Sequence, residues 1–183
     1  MSRLPLRFYG DPILRARCAP VESITEEIKQ LVRDMIETMD IDKGCGLAAP
    51  QVGYSLRIFV LRDYIETPQG DFALSDPRVY INPKLSNPSL KKVMDTEGCL
   101  SIPGVRAEVE RPLKIRVEAL DIEGRPFAEE VEGYNARIRM HENDHINGVL
   151  YIDRLDLRKR KKVEPLLKEL QKKYQNSSEN QIN

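Results

Sequence analysis

Histidine is nearly absent from this chain: His141 and His145 are the only two among 183 residues, and tryptophan is missing altogether. Aromatic residues make up only 6%, while hydrophobic residues reach 40% and charged ones 32%, the balance of a globular protein rather than a disordered or membrane one. Neither sign of charge is in excess. The 29 lysines and arginines cancel 29 aspartates and glutamates, so a global pull toward nucleic acid or an anionic membrane is excluded and any such attraction must be local. No segment approaches the roughly 18 to 20 apolar residues that a membrane span needs, and the opening "MSRLPLRFYGDPILRARC" has no apolar run of signal-peptide length, so a cytoplasmic protein is expected. The cysteines Cys18, Cys45 and Cys99 are odd in number and far apart, which excludes a disulfide framework and predicts reduced thiols.

What is present suits one domain spanning 1–183, since a domain holds roughly 100 to 200 residues. Ile28, Leu31, Val32, Met35, Ile36 and Met39 recur at helical steps, and Ser23 with Glu26 resembles a capping box. This helix should end by Gly44. "GCGLAAPQVG" then reads as a close-packed loop and "LRIFVL" as a buried strand. Residues 63–90, with four prolines around a short strand-like "RVYIN", read as superficial loop. "LKIRVEALDIEG" alternates apolar and charged residues and should form a hairpin with "PFAEEVEG". "YNARIRMHENDHING" lies between Gly133 and Gly148 and is long enough for a helix of about three to four turns. Val163, Leu166, Leu167, Leu170 and Tyr174 mark a basic amphipathic helix over 157–176, with Pro165 acceptable only in its first turn. Residues 177–183 read as a flexible tail. The class expected is α+β, with helices at both ends and antiparallel or mixed sheets around a central helix that carries the histidines.

On that helix His141 and His145 stand about 40° apart around the axis and one turn apart along it, while Glu142 projects about 100° to one side. This is the HExxH arrangement: two imidazoles able to reach one ion, and a carboxylate able to take a proton from water on that ion. A third ligand is required, and two residues compete. Glu164, 19 residues beyond His145, would make an HExxH metallopeptidase; Cys99, in the glycine-flanked "EGCLS", would supply a thiolate. A third reading is a non-catalytic metal or RNA-binding module, with the ion closed by Cys45 or Cys18 as fourth ligand.

"GCGLAAPQ" (44–51), "EGCLS" (97–101) and "HENDH" (141–145), in this order, resemble the three signature motifs of the bacterial peptide deformylase family, and "YGDPILRARC" resembles its N-terminal segment, so that the likeness runs from about Tyr9 to Leu155. The resemblance implies a hydrolase that removes the formyl group from the N-terminal formyl-methionine of newly made proteins and releases formate. It implies Cys99, His141 and His145 as metal ligands and Glu142 as general acid/base for a metal-bound water. It also implies that Gln51 and the backbone N–H of Leu100 polarise the formyl oxygen, and that Gly46, Cys45, Glu97 and Gly98 line the substrate cleft. Chemistry agrees, because a carbonyl becoming tetrahedral gathers charge on oxygen that fixed donors and a cation stabilise. Three positions depart from the usual pattern: Met140 stands where glutamine is common, Asn143 replaces an apolar residue, and Cys45 replaces Ile or Val.

Two imidazoles and a thiolate suit iron, zinc, nickel or cobalt; the resemblance implies one divalent ion per chain, Fe(2+) as the native one and the others as substitutes. "RKRKK" (158–162), continued by Lys168, Lys172 and Lys173, makes the C-terminus basic, and the resemblance extends to a helix that contacts the ribosome. The partners expected are therefore N-formylmethionyl nascent peptides and the ribosome, with neither DNA nor membrane.

Overall fold

The computed structural model describes residues 3–179. In chain order its elements are α1 (Glu26–Ile41), β1 (Gly46–Ala48), β2 (Ile58–Leu61), β3 (Tyr64–Glu66), β4 (Phe72–Leu74), β5 (Arg78–Ser86), β6 (Lys92–Cys99), β7 (Ile102–Pro112), β8 (Lys114–Leu120), β9 (Pro126–Glu132), α2 (Gly133–Ile146) and α3 (Leu157–Glu179), with short 3-10 turns at Pro12–Arg15, Ala49–Val52 and Tyr151–Arg154. The fold is α+β. Five strands form an antiparallel sheet in the order β1-β2-β5-β8-β9, and two separate antiparallel pairs, β3-β4 and β6-β7, stand beside it.

Strand β2 explains the layering. All four of its residues, Ile58 to Leu61, are fully buried because both faces of the sheet are covered. Ile58 and Val60 join the core that Leu31, Val32, Met35 and Met39 of α1 build on one face. Phe59 and Leu61, pointing the other way as strand geometry requires, join Tyr80, Val117, Ile138 and Met140 on the α2 side. Burying each such side chain contributes about 1.5–3 kcal/mol. A third apolar cluster, with Leu14, Ile102, Val105, Tyr151 and Leu167, fastens α3 against β7 and the N-terminal turn.

Several expectations shift. The cap of α1 is Thr25, whose hydroxyl accepts from the Ile28 N–H at 3.4 Å; Glu26 is already the first helical residue, so the Ser23–Glu26 box does not form. Residues 63–90 are more ordered than their prolines suggested: β5 runs for nine residues in the middle of the sheet. Pro83 is tolerated there because the register slips between Ile81 and Lys84, where Asn82 turns left-handed (φ 52°) and its side chain bonds both the N–H and the carbonyl of Val21. The long β6-β7 ribbon was not foreseen. In α3, Pro165 lies well inside the helix rather than in its first turn, and Leu166 is exposed rather than packed. Pro165 sits on the exposed face beside an exposed Lys161, where solvent can meet the carbonyl that its missing N–H leaves unpaired. The helix continues to Glu179, and the rest of the expected tail, 180–183, lies outside the described residues.

Candidate active site

Helix α2 reads as polar yet buries ten of its 14 residues, among them Arg137, Arg139, His141, Glu142, Asp144 and His145. Such a helix is stable only if its charges find partners. They do. Arg137 donates to Glu97 and to the carbonyls of Val109 and Val93, each at 2.8 Å. Arg139 meets Asp63 and Glu129, and Asp144 accepts from Arg111 and Arg154. The helix thereby holds its two histidines rigidly against the end of β6.

Cys99, at the last position of β6, brings its sulfur to 3.2 Å from His145 Nε2. The donor atoms of Cys99, His141 and His145 all lie within 4.8 Å of one another, and they are the one group of this kind among the described residues. Glu164 does not join them; it pairs with Arg160 at 3.2 Å, so the peptidase arrangement is not built. Cys18 is buried elsewhere, beside Ser55 and Arg57. Cys45 lines the cleft, but burial and the Glu142 charge push its thiol up to about 11, which keeps it protonated.

The donors fit a cation. Glu97, 3% exposed, sets its carboxylate 2.9 Å from His141 Nδ1 and so leaves Nε2 to face the sulfur. Tyr151 lies along the other side of that imidazole at 5.8 Å, its hydroxyl donating to the Val105 carbonyl. Burial pushes His141 down, yet the Cys99 sulfur and the Glu97 carboxylate outweigh it and hold the ring well above its ordinary range. His145 is pushed well below its range by burial and by the charge on His141. Two imidazoles and a sulfur facing one another form the nitrogen and sulfur donor set that suits a divalent transition metal. One atom of the neighbouring Glu142, Oε2, is buried without a partner, as a group aimed at a water or a ligand would be.

Glu142 is 4% exposed, and burial first, then the charges of Glu97 and Asp144, push its carboxyl up to about 7 against the opposing charge of His141. It packs on Gly46: a Cβ there would lie 2.8 Å from Glu142 Cδ and 3.0 Å from Cγ. Gln51, 2% exposed, is oriented by the Ala48 N–H, which donates to Oε1 at 2.8 Å; its Nε2 is left facing the Cys99 sulfur at 3.4 Å and Ser101 Oγ at 3.2 Å. Around these groups opens a cleft of about 420 Å³ whose walls include Cys45, Gly46, Gly98 and Leu100 as well as Cys99, His141 and Glu142.

Sequence reasoning missed Ser101, which steers the Gln51 amide, and Arg111 and Arg137, which neutralise Glu97. One signal was available. Charged residues in "YNARIRMHENDH" fall where a helix under a sheet should be apolar, and only buried ion pairs reconcile that. The tyrosines and leucine that complete the cleft mouth, Tyr64, Tyr134 and Leu74, carried no signal.

Comparison with known proteins shows the family of the chain. The family model for polypeptide deformylase matches residues 4–161. A peptide deformylase of Psychrobacter cryohalolentis is 45% identical over 172 residues, covering 92% of this chain and 90% of the relative. The crystal structure of peptide deformylase from Thermus thermophilus matches with a TM-score of 0.83 at 43% identity, covering 94% of this chain and 99% of that one. That of Plasmodium falciparum reaches 0.84 at 38% identity, covering 94% and 98%. By sequence and by fold, the chain belongs to the polypeptide deformylase family.

Proposed function

We propose that this enzyme removes the formyl group from newly made N-formylmethionyl peptides with Cys99, His141 and His145 holding one divalent cation and Glu142 moving the proton. The observation that carries this reading is the convergence of the three donor atoms within 4.8 Å beside a buried carboxylate with an unpartnered oxygen. When bound, the cation supplies Lewis-acid polarisation of the formyl carbonyl and makes water more acidic.

The protein's own groups do the rest. Glu142, poised near neutrality, accepts a proton as water oxygen adds to the formyl carbon, and returns it to the amine nitrogen as the C–N bond breaks. Formate and a free amino terminus result. Gln51 Nε2 and the Leu100 backbone N–H receive the charge that builds on the formyl oxygen, and Gln51 is suited to this because the Ala48 N–H already fixes which end of its amide faces the cleft. Gly46 and Gly98 let the peptide backbone come close, and Cys45, Glu97 and the neighbouring apolar Ile102, Val105 and Ile138 shape the methionine pocket. A Cys99→Ser variant should lose bound metal and formate release together; release at the wild-type rate from a metal-free variant would sink the assignment.

Ferrous iron is the resident ion in this reading, with zinc, nickel or cobalt able to replace it in the same donor set. No helix among the described residues is long and apolar enough to cross a membrane, and a nascent-chain substrate supports a cytoplasmic location in this reading. On α3, Arg158, Lys161 and Lys162 are exposed and make no ion pair among the described residues, whereas Lys159 and Arg160 are held by Glu108 and Glu164. Those three charges support a salt-dependent ribosome contact. Reversing them to glutamate should weaken co-sedimentation with ribosomes at low salt; unchanged association would remove this part.

A further inference from the structure

Two separate stretches of chain supply the donors proposed to meet the formyl oxygen: the turn Ala49–Val52 carries Gln51, and the turn after β6 carries Leu100 and Ser101. One side-chain bond, from Gln51 Nε2 to Ser101 Oγ at 3.2 Å, joins the two turns directly. A third stretch, Arg7 to Tyr9, straps them together through the backbone. The Arg7 N–H donates to the Gln51 carbonyl at 2.7 Å, and two residues on, the Tyr9 N–H donates to the Ser101 carbonyl at 2.8 Å. The Arg7 side chain also lies over Gly53, the left-handed residue that closes the Gln51 turn; a Cβ there would stand 3.1 Å from Arg7 Nε.

The strap is itself gripped by α3. Phe8, the residue between the two donors, stacks on Tyr174 with ring centres 3.7 Å apart and planes inclined by 12°. Arg160 Nη2 donates to the Tyr9 hydroxyl at 3.3 Å, and Gln171 packs so closely on Gly10 that a Cβ there would lie 2.9 Å from its Cγ. At about 100° per residue, Arg160, Gln171 and Tyr174 fall within about 60° of one another, so one stripe of α3 makes all three contacts. From the core side, Leu4 and Leu6 pack with the α1 cluster and Tyr9 with the cluster of Leu14 and Ile102. None of Arg7, Phe8, Tyr9 and Tyr174 lines the cleft, so any effect they have on the reaction passes through Gln51 and the Leu100–Ser101 turn.

We propose that the strap Arg7–Tyr9 sets the spacing between the Gln51 amide and the Leu100 N–H, and that Phe8, clamped by Tyr174, is the positioning residue through which α3 holds it. The inference rests on the deformylation reading above. Two donors from different turns stabilise an oxyanion only if both meet the same oxygen, and their bonds matter most when charge has built up there. Loosening the strap therefore weakens transition-state contacts more than substrate binding, and the loss falls on kcat rather than KM.

The test measures kcat and KM for formate release from formyl-Met-Ala-Ser by metal-loaded wild type, Phe8→Ala, Phe8→Tyr, Tyr174→Ala and the double variant Phe8→Ala/Tyr174→Ala, each well below its Tm. Phe8→Ala should lower kcat about tenfold, with KM and metal content within about twofold of wild type. Phe8→Tyr, which keeps the stacked ring, should hold kcat within about twofold of wild type. Tyr174→Ala should act in the same direction, and it reports on the same stack from the helix side should Phe8→Ala fail to fold. The double variant should lose no more than Phe8→Ala alone, because both substitutions remove one stack. A wild-type kcat in the single variants, with only Tm lowered, would show that the strap serves the fold alone and would overturn the inference, as would losses that multiply in the double variant. No formate from metal-loaded wild type would instead overturn the deformylation reading and the strap's role with it.

Discussion

A methyl group added at Gly46 should disable the enzyme without emptying the metal site. Gly46 has an ordinary extended backbone, so alanine is conformationally acceptable there, and the conflict lies with its neighbour alone: the new Cβ would meet Glu142 Cδ at 2.8 Å and Cγ at 3.0 Å. Ordinary carbon contacts begin near about 3.5 Å, so the carboxylate must retreat by several tenths of an ångström to about 1 Å. Glu142 is 4% exposed on a helix fixed by ion pairs, which leaves the cleft as its direction of escape. A misplacement of that size costs about 10²-fold in rate, and the overpacking itself about 1–3 kcal/mol of stability. Gly46→Ala should therefore lower kcat for formate release about 30- to 100-fold at wild-type metal content. At Gly98, also in the cleft, a Cβ would meet the Arg106 side chain at 3.6 Å and the Val105 carbonyl oxygen at 3.9 Å, both ordinary contacts, so Gly98→Ala should cost far less. Equal activity in Gly46→Ala and wild type, at equal metal loading, would refute the claim that Glu142 acts from its present position.

Other consequences follow from the buried ion pairs. Glu97→Gln keeps the shape of a side chain that accepts from Arg111, Arg137 and His141 but removes its charge, leaving guanidinium groups buried and short of a partner. Stability should fall about 3–5 kcal/mol and metal affinity about 10- to 100-fold, read by denaturant titration and metal competition; retention of both would show that the carboxylate neither balances the arginines nor orients the imidazole. Burial raises the Asp63 carboxyl, but Arg139 and Arg78 outweigh it and hold the group below its ordinary value. Its stabilisation is thus fully present above about pH 4 and lost as the pH falls through the lower folded value. Asp63→Asn should lower Tm by several degrees at pH 7, and the gap to wild type should narrow below about pH 4; the same gap at pH 3 would contradict the pairing.

The parts of this molecule legible in its sequence are those with a short-range period or a rare residue type. Helix α1 announces itself by apolar spacing, β8 by alternation, and the proposed metal ligands by the scarcity of histidine together with three ordered motifs. What stayed hidden depends on distant partners. Cys99 and His145 are 46 residues apart, and no spacing rule decides between Cys99 and Glu164 until β6 is laid against α2. Strand β5 was obscured by Pro83, which a register slip and the left-handed Asn82 absorb. Helix α2 was legible from its length, but its burial was not, because Ile138 and Met140 meet the apolar core while Arg137 and Arg139 are buried through ion pairs whose acids, Glu97, Asp63 and Glu129, come from distant strands and loops. Strand β6, open to solvent along most of its length, has too few apolar residues to read as strand, although its partner β7 alternates Val105, Ala107 and Val109 with charged residues.

The most direct test of the central claim is formate release from formyl-Met-Ala-Ser by wild type and Glu142→Ala, both purified anaerobically and assayed for metal. Wild type should release formate, and Glu142→Ala, with an equal amount of metal bound by Cys99, His141 and His145, should release none above background. Turnover by Glu142→Ala at a rate near wild type would contradict the account, because the proton would then be moving without the carboxylate that the fold buries beside the ligands.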